Sequence, residues 1–161
     1  MAELEQLAVD VGGRLKTAGL TAVVAESCTG GWVAKVLTDV PGSSVWFERG
    51  FVTYSNAAKI ELLAVSPQTL DEHGAVSEAT VREMAEGALR NSEGDIAVSI
   101  SGVAGPDGGS RDKPVGTVWF AWARSGSETR SRHECFTGDR DAVRRAAVVV
   151  ALQGIAEFAG A

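Results

Sequence analysis

Leu4, Leu7, Ala8, Val11 and Leu15 recur at three- and four-residue steps, the spacing of one helical face, and Gly19 stands where a glycine would end that helix. A short apolar stretch rich in β-branched and small residues, Thr21 to Ala25, then predicts a buried strand, followed by a tight loop and a helix over Trp32 to Thr38. Pro41-Gly42 breaks the chain. Val45 to Thr53 alternates well enough for a strand, Ser55-Asn56 caps a helix through Leu63, and Ser66-Pro67 starts a short helix ending at Gly74. Ser77 is placed to cap a longer helix with Val81, Met84, Ala85 and Ala88 on one face, and Asp95 to Ile100 reads as the next strand. Val115 to Ala123 and Thr129 to Phe136 suggest an antiparallel hairpin, and Asp139 to Phe158 a closing helix. Helices interleaved with short apolar strands indicate an α/β layer structure, with the hairpin making a mostly parallel sheet mixed.

At 161 residues the chain has the length of one domain. Its 45% hydrophobic content suits a packed core, and no apolar run approaches the roughly 18 residues of a membrane span. Fifteen basic against 21 acidic side chains leave a net charge of −6, which argues against nucleic acid as a partner. The first residues are acidic where a secretory signal would be basic, so a cytoplasmic protein is expected. The sign of the charge is uneven, however. Residues 111 to 145 carry eight basic and five acidic side chains, either a solvated face or a pocket for a small anion. Cys28 and Cys135 lack Cys-x-x-Cys spacing, and His73 and His133 lie far apart, so neither a metal site nor a disulfide framework is indicated.

Two glycine-rich turns follow strands, Glu26-Ser27-Cys28-Thr29-Gly30-Gly31 and the stretch from Ser101 through Gly105, Pro106, Gly108 and Gly109 to Ser110. Both should open on the carboxyl edge of the sheet, where ligands gather in such folds. Gly30-Gly31 at a helix start would leave amides for a phosphate or an oxyanion, unless the pair only packs loop against sheet. Neither turn matches the P-loop or Gly-x-Gly-x-x-Gly, which disfavours ATP hydrolysis and Rossmann dinucleotide binding. Ser27 leaves a strand at a turn, a position that suits a hydroxyl nucleophile. With no histidine in a triad context, its base would be Lys59, shifted toward neutrality by burial, with Tyr54 relaying or orienting the proton. Cys28 is the rival nucleophile, and a capping serine with a surface lysine is the reading without chemistry. Glu26 is assigned to positioning the loop or to a salt bridge at the core's edge. Trp119 and Trp122, an odd number of residues apart on one strand, must face opposite sides of the sheet.

Glu26 to Gly31, Tyr54-Ser55-Asn56 with Lys59, Gly74-Ala75-Val76-Ser77, Ser101-Gly102-Val103-Ala104-Gly105-Pro106, Gly108-Gly109, Lys113-Pro114-Val115-Gly116-Thr117, Gly138-Asp139-Arg140 and Val143-Arg144 together resemble the C-terminal domain of the competence/damage-inducible CinA family. The resemblance spans nearly the whole chain in order. It implies a three-layer α/β/α sandwich and, as in the family's stand-alone nicotinamide-nucleotide amidohydrolases, hydrolysis of nicotinamide mononucleotide to nicotinic acid mononucleotide and ammonia in pyridine nucleotide recycling. No cofactor is implied. Ser27 is the nucleophile that the resemblance implies, Lys59 the base and Tyr54 its companion, with Thr29, Gly30 and Gly31 lining the oxyanion and substrate pocket. Ser101, Gly105, Pro106, Gly108, Gly109, Lys113 and Arg140 would hold ribose and 5′-phosphate, Arg140 foremost. Ser101 stands where the family usually has Thr, so the hydroxyl is kept. A homo-oligomer, a dimer, is expected. A silent nucleotide-binding module and a purely structural oligomerisation domain are the competing classes.

Overall fold

The computed structural model describes residues 2–160. The elements run α1 (Ala2–Ala18), β1 (Ala22–Glu26), α2 (Trp32–Thr38), β2 (Phe47–Val52), α3 (Asn56–Leu63), α4 (Pro67–His73), α5 (Glu78–Arg90), β3 (Ile96–Gly102), β4 (Thr117–Arg124), β5 (Arg130–Cys135) and α6 (Arg140–Ala159). Ser55, Ser66, Ser77 and Asp139 cap their helices by accepting from the amides of Ala58, Gln68, Thr80 and Ala142. Two strand starts fall later than the alternation predicts. Ser43–Val45 form a 3₁₀ turn before β2, and Gly116, at φ 98°, bends the chain before β4. Alternating apolar residues extend past the hydrogen-bonded ladder in both places, and periodicity alone does not mark that limit.

The sheet has the order β2-β1-β3-β4-β5. β1 pairs in parallel with β2 and β3, whereas β4 is antiparallel to both β3 and β5. The expectation of a mostly parallel sheet is therefore corrected to an even mixture, because both pairings of β4 are antiparallel. From β1 the chain crosses first to β2 on one side and later to β3 on the other. That reversal opens a crevice at the carboxyl end of β1.

Strand alternation divides the core into two layers. Ala22 and Val24 of β1, Ile96, Val98 and Ile100 of β3, and Val118, Phe120 and Trp122 of β4 pack with α1, α2 and α6. Val23, Ala25, Ala97, Ala121 and Ala123 face α5 and its neighbours, together with Trp119. The second face is built largely of small residues, so α5 sits close to the sheet. Trp119 and Trp122 do lie on opposite faces, and both indole environments are intramolecular: Trp119 stacks on His133 and the Trp122 indole donates to Ala151 O. Gly154 makes room for Trp122, since a Cβ there would come within 2.1 Å of the ring. This is the α/β/α sandwich expected from the sequence.

Candidate active site

β1 and β3 are in parallel register, with Glu26 opposite Ile100. Their last residues therefore deliver Ser27 and Ser101 side by side, and Ser27 N still donates to Ile100 O at 3.0 Å. By the alternation of β1, Glu26 points to the same side as Ala22 and Val24, beneath α2. Its carboxylate is fully buried and accepts from the amides of Gly31, Val33 and Ala34 at 3.2, 3.0 and 2.9 Å. A buried anion thus sits on the positive end of α2. Gly30 N donates to Ser27 O and Trp32 N to Thr29 O. The expectation that Gly30-Gly31 offers free amides is corrected accordingly: these glycines supply left-handed backbone, at φ 61° and 102°, rather than donors.

Lys59, in the first turn of α3, is 1% exposed and reaches back to the end of β1. Its Nζ lies 3.0 Å from Ser27 Oγ, 2.8 Å from Thr53 O and 3.3 Å from Tyr54 O. Among the described residues no carboxylate pairs with it. Desolvation therefore lowers its pKa from the ordinary lysine value of 10.5. A thiolate at Cys28 would oppose that shift, but burial pushes the Cys28 thiol up to about 12 and keeps it neutral. As a neutral amine, Lys59 can give its two N–H groups to the Thr53 and Tyr54 carbonyls and turn its lone pair to the Ser27 hydroxyl. The same protonated thiol removes Cys28 as a competing anionic nucleophile.

Ser27, Cys28, Tyr54, Lys59, Ala75, Val76, Ser101, Gly102, Ala104 and Arg140 line a cavity of about 240 Å³. No acidic side chain is on its wall. Tyr54 is 64% exposed at the mouth, where its hydroxyl is 3.5 Å from an Arg140 nitrogen, so it approaches Lys59 through its carbonyl and not its phenol. Arg140 also donates to Gly105 O at 2.7 Å. Thr29 is buried in the turn and does not line the cavity, and its Oγ1 has no partner among the described residues. Gly30, Gly31, Pro106, Gly108, Gly109 and Lys113 do not reach the cavity wall; Lys113 Nζ donates to His73 O at the end of α4. Of the other cations, Arg130 lies over the Phe158 ring, Arg132 pairs with Glu134 and Arg145 with Glu3. Arg144, one helical turn after Arg140, grips the nucleophile turn: Nε donates to Cys28 O at 3.0 Å and a terminal nitrogen to Thr29 O at 3.2 Å. Only its place in the cationic segment and its spacing from Arg140 hinted at this role.

A sequence model of the CinA C-terminal domain matches residues 4–159. The chain is 64% identical to the nicotinamide-nucleotide amidohydrolase PncC of Escherichia coli K12, across 94% of this chain and 92% of that protein. It is 49% identical to the PncC of Pseudomonas putida, across 98% of each. Among solved structures, the competence/damage-inducible protein CihA of Agrobacterium tumefaciens superposes with a TM-score of 0.94 at 40% identity, covering 96% of this chain and 94% of that one. A CinA superfamily protein of Klebsiella pneumoniae gives 0.93 at 41% identity and 97% coverage of both. The chain belongs to the CinA C-terminal domain family.

Proposed function

We infer that this protein hydrolyses the carboxamide of nicotinamide mononucleotide, giving nicotinic acid mononucleotide and ammonia, with Ser27 as nucleophile and Lys59 as base. The observation that carries this reading is the 3.0 Å approach of a buried lysine, paired with no carboxylate among the described residues, to a serine at the carboxyl edge of the sheet. Neutral Lys59 takes the Ser27 proton as Oγ bonds to the carboxamide carbon. The resulting ammonium returns a proton to the amide nitrogen as the C–N bond breaks, leaving a nicotinoyl ester on Ser27 and free ammonia. Water, deprotonated by Lys59, then attacks the ester, and the proton returns to Ser27 Oγ as the acid leaves.

The cavity is smaller than the ~300–1,000 Å³ of most ligand pockets, which suits a pyridine ring and carboxamide with the ribose and phosphate extending to the mouth. The buried Ser101 hydroxyl, beside Ser27, and Arg140 at the mouth are the assigned contacts, and Arg140 is the assigned phosphate holder. A homo-oligomer, a dimer, is the assembly that the family resemblance implies, and a sedimentation mass of one chain at micromolar concentration would remove it.

The deciding experiment is incubation of the purified protein with nicotinamide mononucleotide while measuring ammonia, beside Ser27→Ala. Release by the wild type and loss in the variant, with binding kept within a few-fold, is expected. Calorimetric binding without release across pH 6 to 9 would favour the silent nucleotide-binding module.

A further inference from the structure

The loop Gly74-Ala75-Val76-Ser77 joins α4 to α5 and takes no part in the chemistry of Ser27 and Lys59, yet Ala75 and Val76 line the same cavity. Ser27, Cys28, Lys59 and Ser101 supply the polar part of the wall, and Tyr54 and Arg140 the mouth. What remains is Ala75, Val76, Gly102 and Ala104. A pyridine ring bonded to the carboxamide that Ser27 attacks has to be seated on apolar surface. Val76 is the one branched aliphatic side chain on the wall, and the others in this group offer a methyl or less.

The loop carrying Val76 is held at both ends. Gly74, at φ 78° and ψ 171°, turns the chain out of α4, and its carbonyl accepts from Ser77 Oγ at 2.9 Å and from Thr80 Oγ1 at 2.7 Å. Ser77 Oγ also caps α5, so the loop is fixed to the start of that helix. Its other end is held from the second glycine-rich turn. Ser110 N donates to Lys113 O and Lys113 N to Ser110 Oγ, which fixes the Lys113 backbone. The Lys113 ammonium then donates to His73 O, the last carbonyl of α4, a favoured partner for a cation. Among the described residues this is the one hydrogen bond between residues 67–77 and the second turn, which itself supplies Ser101, Gly102 and Ala104 to the wall. Lys113 is thus bonded to the loop and lies off the cavity wall, where it joins two parts of the wall.

We propose that Val76 is the specificity-determining residue that seats the pyridine ring, and that Lys113 is its positioning residue, strapping the 74–77 loop to the second turn. This rests on the amidohydrolase reading above. Val76 touches the ring, whereas Lys113 touches neither ring nor phosphate and acts through the loop.

The test compares calorimetric affinities for nicotinic acid mononucleotide, which has the ring, and ribose 5-phosphate, which lacks it. Wild type, Val76→Ala, Lys113→Met and the double variant are measured, together with kcat and KM for nicotinamide mononucleotide. A methylene in an apolar pocket is worth roughly 10–200-fold. Val76→Ala removes two methyl groups, so the acid mononucleotide should bind about 10-fold more weakly and KM should rise to match. Ribose 5-phosphate should bind as before, with kcat held within about threefold, as expected for binding that substrate and transition state share. Lys113→Met should weaken the acid mononucleotide by about threefold, the size of one cation at an exposed helix C-terminus, again without effect on ribose 5-phosphate. Lys113→Arg keeps a donor for His73 O and should restore the affinity. Because Lys113 acts through Val76, the double variant should lose about 10-fold and not the product of the two effects. Equal weakening of both ligands by Val76→Ala, or no change in either, would overturn the proposal. So would multiplied losses in the double variant, or weaker ribose 5-phosphate binding in Lys113→Met, which would return Lys113 to the phosphate. If Val76→Ala fails to fold, Val76→Thr, which keeps the volume but exchanges a methyl for a hydroxyl, decides by the same ratio of affinities. A wild type that releases no ammonia would instead remove the amidohydrolase reading itself, while the affinity ratio would still report on the ring's seat.

Discussion

The two glycine-rich turns look alike in sequence and serve the cavity differently. In the first, the glycines supply positive φ, a buried carboxylate absorbs the helix amides, and Ser27 is delivered to a lysine. In the second, the glycines also have positive φ and in addition make room for the returning chain: a Cβ on Gly105 would meet Val115 Cγ1 at 2.4 Å, and one on Gly109 would meet Val115 N at 2.9 Å. Each turn is held from α6 by an arginine bonded to its carbonyls, Arg144 at the first and Arg140 at the second. Abundant glycine is thus a sign of demanding backbone geometry. It did not mark free backbone donors at Gly30-Gly31.

The sharpest way to break this contrast is at the chemistry of the first turn. Lys59→Arg places a cation that cannot lose its proton where a neutral amine is needed, so kcat for nicotinamide mononucleotide should fall by about 10³-fold in an ammonia assay, within the range for general-base catalysis. Next in size is Glu26→Gln, which places an NH₂ against amides that need an acceptor. A loss of about 3 kcal/mol is expected, lowering the thermal midpoint by roughly 6–12 °C at this chain length; an unchanged midpoint would refute the carboxylate's role at α2.

At the second turn, Arg140→Ala should reduce the preference for mononucleotide over nicotinamide riboside by about 10- to 100-fold in kcat/KM, given ~1.5–3 kcal/mol for a charge-assisted bond. An undiminished preference would transfer the phosphate to Gly108-Gly109 or Lys113. Smallest is Gly108→Ala. Its φ of 87° disfavours a side chain, but the nearest contact to an added Cβ is an ordinary 3.5 Å from Val103. The cost should be about 1–2 kcal/mol in a thermal melt, with kcat unchanged.

The helices were legible because apolar spacing, capping serines and glycine stops agree locally, as at Ser77 with Val81, Met84, Ala85 and Ala88, whereas the starts of β2 and β4 were not, because apolar alternation runs past the hydrogen-bonded ladder. The pairing of Ser27 with Lys59 was legible as chemistry, since each residue type at a turn or helix start suggests its role. Its geometry was not, because it depends on β1 and α3 being brought together over 32 residues. Arg144 is 116 residues from Cys28, and no local pattern encodes a contact formed only when α6 crosses the end of β1. The three amides bound by Glu26 were missed for a different reason. Its loop-positioning role could be assigned from its place before Ser27, but the side chain's aim beneath α2 follows from strand alternation once the layers are known.

The central claim is that buried Lys59 acts as a neutral base on Ser27. Only the unprotonated amine can accept the serine proton, and desolvation sets its pKa below 10.5. The unfolded chain then holds that proton more tightly, so the contribution of Lys59 to stability also improves as pH rises between the lowered and ordinary values. The most direct test is the pH dependence of kcat/KM for nicotinamide mononucleotide from pH 5 to 10. A rising limb whose midpoint lies below that of an ordinary lysine is the predicted result; a rate that is flat across the range, or that falls as pH rises through it, would contradict the account.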